Sequence, residues 1–163
     1  MYYNVNRNDY ERRIVLRISV KGRYALAATV LMAVRTANGG NITIANLAGE
    51  LGISKIYLEQ VFTQLKKEGL VTSMKGPKGG YQFAKHPNAI TAWDILSATE
   101  ANFTERTEVT VADSAAEMEI VLSELVYAPL DEAIKAQLSE VTLCQLCSFE
   151  QNQKTDQSFM MGL

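Results

Sequence analysis

Cysteine, histidine and proline are scarce in this chain, with two, one and three among 163 residues. Two cysteines cannot build a disulfide framework of the kind that staples small secreted domains. The single histidine, His86, stands beside Pro87 and reads as a turn or surface residue, too isolated to support general-base chemistry. No nucleotide-binding glycine fingerprint joins a strand to a helix, and the Gly76-Pro77-Lys78-Gly79-Gly80 run is followed by Tyr81-Gln82 rather than the Lys-Ser/Thr of a phosphate loop. With no nucleophile and base in evident relation either, the sequence offers no motif for catalysis, and the expectation is that the chain is not an enzyme. Long apolar runs are also missing. The stretch from Ala25 to Val34 is far shorter than a membrane span and contains Thr29. The first 16 residues mix Asp9 and Glu11 with Arg7, Arg12 and Arg13 instead of an apolar signal core, so a soluble cytoplasmic protein without membrane attachment is expected.

What the chain does contain is a globular composition, 47% hydrophobic and 21% charged, enough for one domain of ordinary size with a helical arm. The net charge of -2 conceals an asymmetry. Residues 1–100 hold 13 Lys/Arg against 7 Asp/Glu, whereas residues 101–163 hold 3 against 11. A basic N-terminal module suits an anionic partner, and the acidic remainder is better placed away from it.

The periodicity organises the chain further. Residues 1–16 form an N-terminal extension before the first helical pattern. From Gly22 to Ala37, Tyr24, Leu26, Val30, Leu31 and Val34 recur at helical spacing, among alanines that permit close helix approach, until Asn38-Gly39-Gly40 ends the pattern. Thr43 caps a second short helix whose stripe of Ile44, Leu47, Ala48 and Leu51 stops at Gly52. Ser54 then precedes a third helix with Ile56 or Tyr57, Val61 and Leu65 inward. Two short helices joined across Gly52-Ile53-Ser54 make a helix-turn-helix. The period then switches to strands at 70–74 and 81–84, separated by the glycine-rich turn 75–80 with its two lysines. Helix-turn-helix plus hairpin describes a winged helix over residues 17–100, closed by a fourth helix capped at Thr91 and carrying Ile95, Leu96 and the large anchor Trp93.

Residues 101–112 read as a loop. A long acidic helical segment follows over about 115–138, with Met118, Val121, Leu122, Leu125, Leu130, Ile134 and Leu138 on its apolar stripe and a kink or restart predicted at Pro129. So long a stripe exceeds what a small winged helix can cover. It is read as a homodimerisation helix that holds two wings and two recognition helices in fixed relation. Thr142 begins a short terminal helix within the 101–147 unit, and 148–163 is read as a flexible tail. The fold class is thus mainly α with a small β-hairpin: a winged helix-turn-helix plus a long C-terminal dimerisation helix.

On this frame the DNA-binding candidates are Ser54, Lys55, Tyr57, Glu59 and Gln60 at the leading end of the third helix, where hydroxyl, amide and carboxylate groups can meet base edges. Lys75 and Lys78 on the wing, with Lys21 and Arg23 at the start of the first helix, suit phosphates. Each has a plainer alternative: Ser54 as a cap, Tyr57 as a packing residue, Glu59 as a neutraliser of the helix start. Cys144 and Cys147 form a C-x-x-C pair that is either core packing, a redox dithiol or half of a metal site. No second ligand pair lies near them in sequence, so no metal site and no cofactor are assigned.

The strings RISVKGRYAL, ISKIYLEQVFTQLKKEGLVTSMKGPKGGYQFAKHPNAITAWDIL and SEVTLCQL resemble the Rrf2-type bacterial transcription regulators, over about residues 17–147 and most specifically over 17–96. The resemblance implies a dimeric winged helix on a partly palindromic double-stranded operator, with Ser54, Tyr57, Glu59 and Gln60 in the recognition region and Lys75 where the family often presents an arginine to the minor groove. Ile56 replaces the small polar residue of the iron-sulfur assembly regulators, which points to a different operator. Many family members hold an iron-sulfur cluster on three cysteines between the fourth helix and the dimerisation helix. Residues 101–120 here contain neither cysteine nor histidine, which aligns the chain with the cluster-free members that resemble regulators of cysteine metabolism and sense through a partner enzyme or a small molecule. The function expected is promoter-occupying repression under the control of a small molecule, redox signal or partner protein. The alternative is a winged-helix protein-interaction module without specific DNA binding.

Overall fold

The computed structural model describes residues 18–76, 79–100, 103 and 112–161. The extension 1–16, Lys78 and all of the predicted loop before Ala112 except Phe103 lie outside the described residues. The architecture is mainly helical, with one two-stranded antiparallel hairpin and a long C-terminal helical arm.

Helix α1 spans Val20–Arg35, beginning two residues before the predicted start because the Ser19 side chain accepts the Gly22 N–H and sets the first turn. Its deepest face differs from the expected one. Gly22, Ala25, Ala28, Thr29, Met32 and Ala33 are buried, while Tyr24, Leu26, Val30, Leu31 and Val34 are only half-buried. Helices on several sides approach α1, and small side chains allow the closest approach. Thr29 sits in this face without cost because its hydroxyl donates to the Ala25 carbonyl at 2.8 Å.

Helix α2, Ile44–Leu51, is capped by Thr43, which accepts the Asn46 N–H, and ends at Gly52 in the left-handed region (φ 65°). Helix α3, Lys55–Lys67, buries Leu58, Val61, Phe62 and Leu65. Of Ile56 and Tyr57, the two alternatives for the inward position, Tyr57 is half-buried against the core and Ile56 is 69% exposed, because the 3.6-residue period that seats Leu58 and Phe62 turns position 56 to the opposite side.

Strands β1, Val71–Met74, and β2, Gly80–Phe83, pair with Val71 opposite Phe83 and Met74 opposite Gly80. A third element completes the wing: Ile42 exchanges both backbone bonds with Tyr81, at 3.0 and 2.8 Å. That approach explains Gly80 (φ 150°), where a Cβ would lie 2.7 Å from the Ile42 carbonyl oxygen.

A 3-10 turn at Pro87–Ala89 leads to helix α4, Ala92–Thr99, whose capping box joins Thr91 and Asp94. Trp93 is half-buried against Phe103, ring centroids 5.6 Å apart. Helix α5, Ala112–Leu122, runs into a π-helical turn, Ser123–Tyr127, and on into helix α6, Ala128–Ser139. The irregularity predicted at Pro129 is this π turn. Pro129 has no N–H and its ring crowds the preceding turn, and the Ala128 N–H reaches back five residues to the Ser123 carbonyl.

Helix α7, Leu143–Met161, is much longer than the short helix expected and runs through the stretch read as a tail. Its start is pinned by the Leu143 N–H to the Ile90 carbonyl and the Ala92 N–H to the Val141 carbonyl, both at 2.8 Å. One core joins these parts, with Met32, Leu47, Leu58, Phe62, Leu65, Ile90, Ile95 and Leu143 fully buried. Each such side chain contributes about 1.5–3 kcal/mol by leaving water.

Candidate nucleic-acid interface

The outer surface of α3 is built by subtraction. Once Leu58, Val61, Phe62 and Leu65 face the core, Ser54, Lys55, Ile56, Glu59, Gln60 and Thr63 are left exposed along one side of the helix. Ser54 occupies the N-cap position but makes no capping hydrogen bond, so its hydroxyl is not committed to the helix end. Lys55 Nζ lies 3.6 Å from a Glu59 carboxylate oxygen in an exposed i,i+4 pair, an interaction of roughly 0.3–0.5 kcal/mol that a stronger partner can displace. Tyr57 is the exception in this group. It is half-buried, edge-on to Tyr24 of α1 with centroids 5.5 Å apart, so its ring locks α3 onto α1.

The wing is tied to the same helix. Lys66 in the last turn of α3 donates from Nζ to Ser73 Oγ of β1 at 2.6 Å, and the Leu70 N–H donates to the Leu65 carbonyl at 2.9 Å. Lys75 is exposed at the end of β1, followed by Gly76 at φ 107°. Arg23 is exposed and Lys21 half-buried in the first turn of α1. Lys78 falls outside the described residues. By contrast, Arg35 is engaged by Glu50 at 2.6 Å, which raises its pKa above the ordinary guanidinium value through hydrogen bonding and charge.

Ile56 and Thr63 were absent from the sequence candidates. Thr63 was findable, since it lies one turn after Gln60 on the same face. Ile56 is singled out only by the family resemblance, because its apolar character suits the core as well. An exposed isoleucine in the leading turn of such a helix is suited to the thymine methyl group.

The apolar stripe of the arm divides in two. Met118, Val121, Leu125 and Leu130 are exposed, with Leu125 at 73%, while Leu122, Ile134 and Leu138 are half-buried. Helix α6 packs beside α4, and among the described residues nothing covers the exposed side chains.

Cys144 is exposed in the first turn of α7, and Cys147 is half-buried with its sulfur 3.8 Å from the Val30 carbonyl oxygen. Burial pushes the Cys147 thiol above its ordinary pKa, with further upward pressure from Cys144 and Glu150. Among the described residues no three His, Cys, Asp or Glu side chains converge in a way that could hold a metal ion.

Residues 18–148 match the family described as "Rrf2: Iron-dependent Transcriptional regulator". The chain is 33% identical over 131 residues to the HTH-type transcriptional regulator IscR of Erwinia tasmaniensis, covering 80% of this chain and 78% of that protein. Among solved structures it is similar to CymR (YrzC), described as the global cysteine regulator of B. subtilis, with a TM-score of 0.65, 32% identity, and coverage of 83% of this chain and 98% of that one. It is also similar to IscR of T. potens, with a TM-score of 0.61, 28% identity, and coverage of 83% and 88%. Among the described residues the iron in the family's description meets no suitable donor set. The chain has only two thiols, both on α7, one of them turned against the Val30 carbonyl, and its one imidazole accepts the Asn88 N–H at Nδ1.

Proposed function

Because the chain belongs to the Rrf2 family of transcription regulators, we propose that it is a sequence-specific repressor that occupies a partly palindromic promoter site as a homodimer. The observation that carries this reading is the exposed polar face of α3 bonded through Lys66 and Ser73 to a basic wing, so that helix and hairpin meet a duplex as one unit. Ser54, Lys55, Glu59 and Gln60 enter the major groove, where Gln60 and Ser54 hydrogen-bond base edges and Glu59 accepts from cytosine. Lys75 and Lys78 take phosphates or the minor groove beside them, and Lys21 and Arg23 take phosphates at the start of α1. Tyr57 acts from behind, by fixing the angle of α3 on α1.

The exposed Met118, Val121, Leu125 and Leu130, continued by Leu122, Ile134 and Leu138, form the seam between two copies. The acidic arm then lies away from the phosphates. Release of the operator is controlled by a small molecule, a redox signal or a partner enzyme. The protein works in the cytoplasm, in keeping with helices among the described residues that are too short or too polar to cross a membrane.

Fluorescence anisotropy on a duplex selected by the protein, against a scrambled duplex, tests this across salt concentrations. The expected preference is about 4–10 kcal/mol with a steep salt dependence. Equal weak binding to both duplexes would reject specific regulation. A Lys75 replacement that leaves DNA affinity intact while abolishing a protein complex would favour an interaction module instead.

A further inference from the structure

The two thiols of α7 take no part in the interface above, yet their placement is specific. Cys144 is exposed in the first turn, just after Thr142, whose hydroxyl accepts the Gln145 N–H. Cys147 lies one turn further along, its sulfur against the Val30 carbonyl oxygen. Both thiols line a cleft of about 760 Å³ whose other walls include Ala33 of α1 and Phe83, Lys85 and His86 at the root of the wing. The cleft therefore joins the thiol pair, the first helix and the strand that leads back from the wing tip.

Side chains three apart on a helix have Cβ atoms roughly 5–6 Å apart, and a disulfide brings them to about 3.5–4.5 Å. Closing that gap takes a small tightening. It is easiest in a first turn, where the leading N–H groups have no intrahelical partner to give up. We propose that Cys144 and Cys147 are a dithiol modification site that reacts with low-molecular-weight disulfides from the cleft and closes to an intrahelical disulfide.

The exchange balances without a further reactant. The exposed Cys144 thiolate attacks one sulfur of the small disulfide, forming a mixed disulfide and expelling the first small thiolate. Cys147 thiolate then attacks the Cys144 sulfur, breaking the mixed disulfide and expelling the second. The two protein thiol protons end on the two leaving thiolates, and the small disulfide is the species reduced. The division of labour follows from geometry, since Cys144 meets solvent and Cys147 is sheltered by the core. Burial raises the Cys147 pKa, which leaves the exposed Cys144 as the thiol that meets the small disulfide first.

Closure withdraws the Cys147 sulfur from the Val30 carbonyl and tightens the turn that is pinned to Ile90, next to the wing root. Its effect on operator affinity rests on the function proposed above; the bridge itself does not.

The full-length protein, reduced and then exposed to oxidised glutathione, provides the test by intact mass and peptide mapping. The wild type should lose two hydrogens and retain no glutathione, with the link inside the single tryptic peptide between Lys135 and Lys154. Cys147→Ser should stop at one glutathione on Cys144, and Cys144→Ser, altered at an exposed position, should remain folded and react far more slowly. Stable glutathione adducts on the wild type, or a bridge between two chains, would overturn the site. Bridged wild type should bind the selected duplex about tenfold differently from the reduced form, and unchanged affinity would overturn its coupling to DNA. Reduced protein that binds no duplex would reject the proposed function while leaving the mass result to stand or fall alone.

Discussion

The carboxylate of Glu100 closes over the beginning of α1, its Oε1 accepting the Ser19 backbone N–H at 3.0 Å and the Ser19 hydroxyl at 2.6 Å. Ser19 in turn accepts the Gly22 N–H, so a single acidic residue at the end of α4 orients the capping group of a helix 81 residues away in sequence. The negative charge also complements the positive end of the α1 dipole. Lys21 and Arg23, proposed to hold phosphates, emerge from the turn that this contact fixes.

Gly22→Ala should therefore destabilise the fold. A Cβ at this position would run into the Glu100 carboxylate and approach Ile18 and Leu96 at 2.9 and 3.0 Å. Urea unfolding should show a loss of about 1–3 kcal/mol. A neutral result would mean that the Glu100 contact is easily displaced.

Neutralising Lys75 separates a phosphate contact from a base contact. Lys75→Ala should weaken binding across all duplex sequences and reduce the slope of log affinity against log salt by about 1. Gln60→Ala should instead relax discrimination at one base pair, costing about 1–3 kcal/mol at the preferred base. Anisotropy on a panel of single-base variants distinguishes the two.

The exposed Ile56 is suited to a different kind of contact. If it meets a thymine methyl, replacing that thymine with deoxyuridine should lower wild-type affinity and leave Ile56→Ala unaffected. A deoxyuridine scan of the operator checks this directly. Equal losses in both proteins would assign the methyl contact elsewhere.

Leu125→Glu should give a monomer. The side chain is 73% exposed in the single chain, so the change costs little folding stability while placing charge in the proposed seam. Analytical ultracentrifugation should show half the wild-type mass, with circular dichroism unchanged. A mutant that remains dimeric would move the interface away from α5 and α6.

Cys147 gives a pH signature. Because its folded pKa is raised, folded protein binds the thiol proton more tightly than unfolded protein does. The associated stability is complete below the ordinary thiol pKa of about 8.5 and is lost as pH rises through the folded value. Unfolding free energy should fall more steeply above that pH in the wild type than in Cys147→Ala.

Local chemistry carried much of the fold into the sequence. Thr43, Gly52 and Thr91 each mark a helix boundary through groups within a few residues, and the hairpin follows from a change of period around a glycine-rich turn. What depended on distant partners was hidden. The Ile42 bridge to Tyr81 is one residue long and has no periodicity to display. The small-residue face of α1 becomes the deep one only because several helices converge on it, and the length of α7 could not be read from a stretch of weak apolar pattern. On the exposed face of α3, polar side chains in the leading turn were legible by type. Ile56 was ambiguous because apolar character alone cannot say which side of a helix meets the core.

The π turn before Pro129 has a consequence for the arm as a whole. From Leu125 to Leu130 is five residues, a spacing that would throw the two leucines far out of phase on a regular helix, and the wider turn absorbs the excess residue. The irregularity thus acts as a splice that lets the proposed seam continue past a proline. Straightening it with Pro129→Ala alone would rotate Leu130 out of line with Leu125, whereas deleting Tyr127, which lies between them, at the same time would restore a four-residue spacing and bring the two leucines back into step.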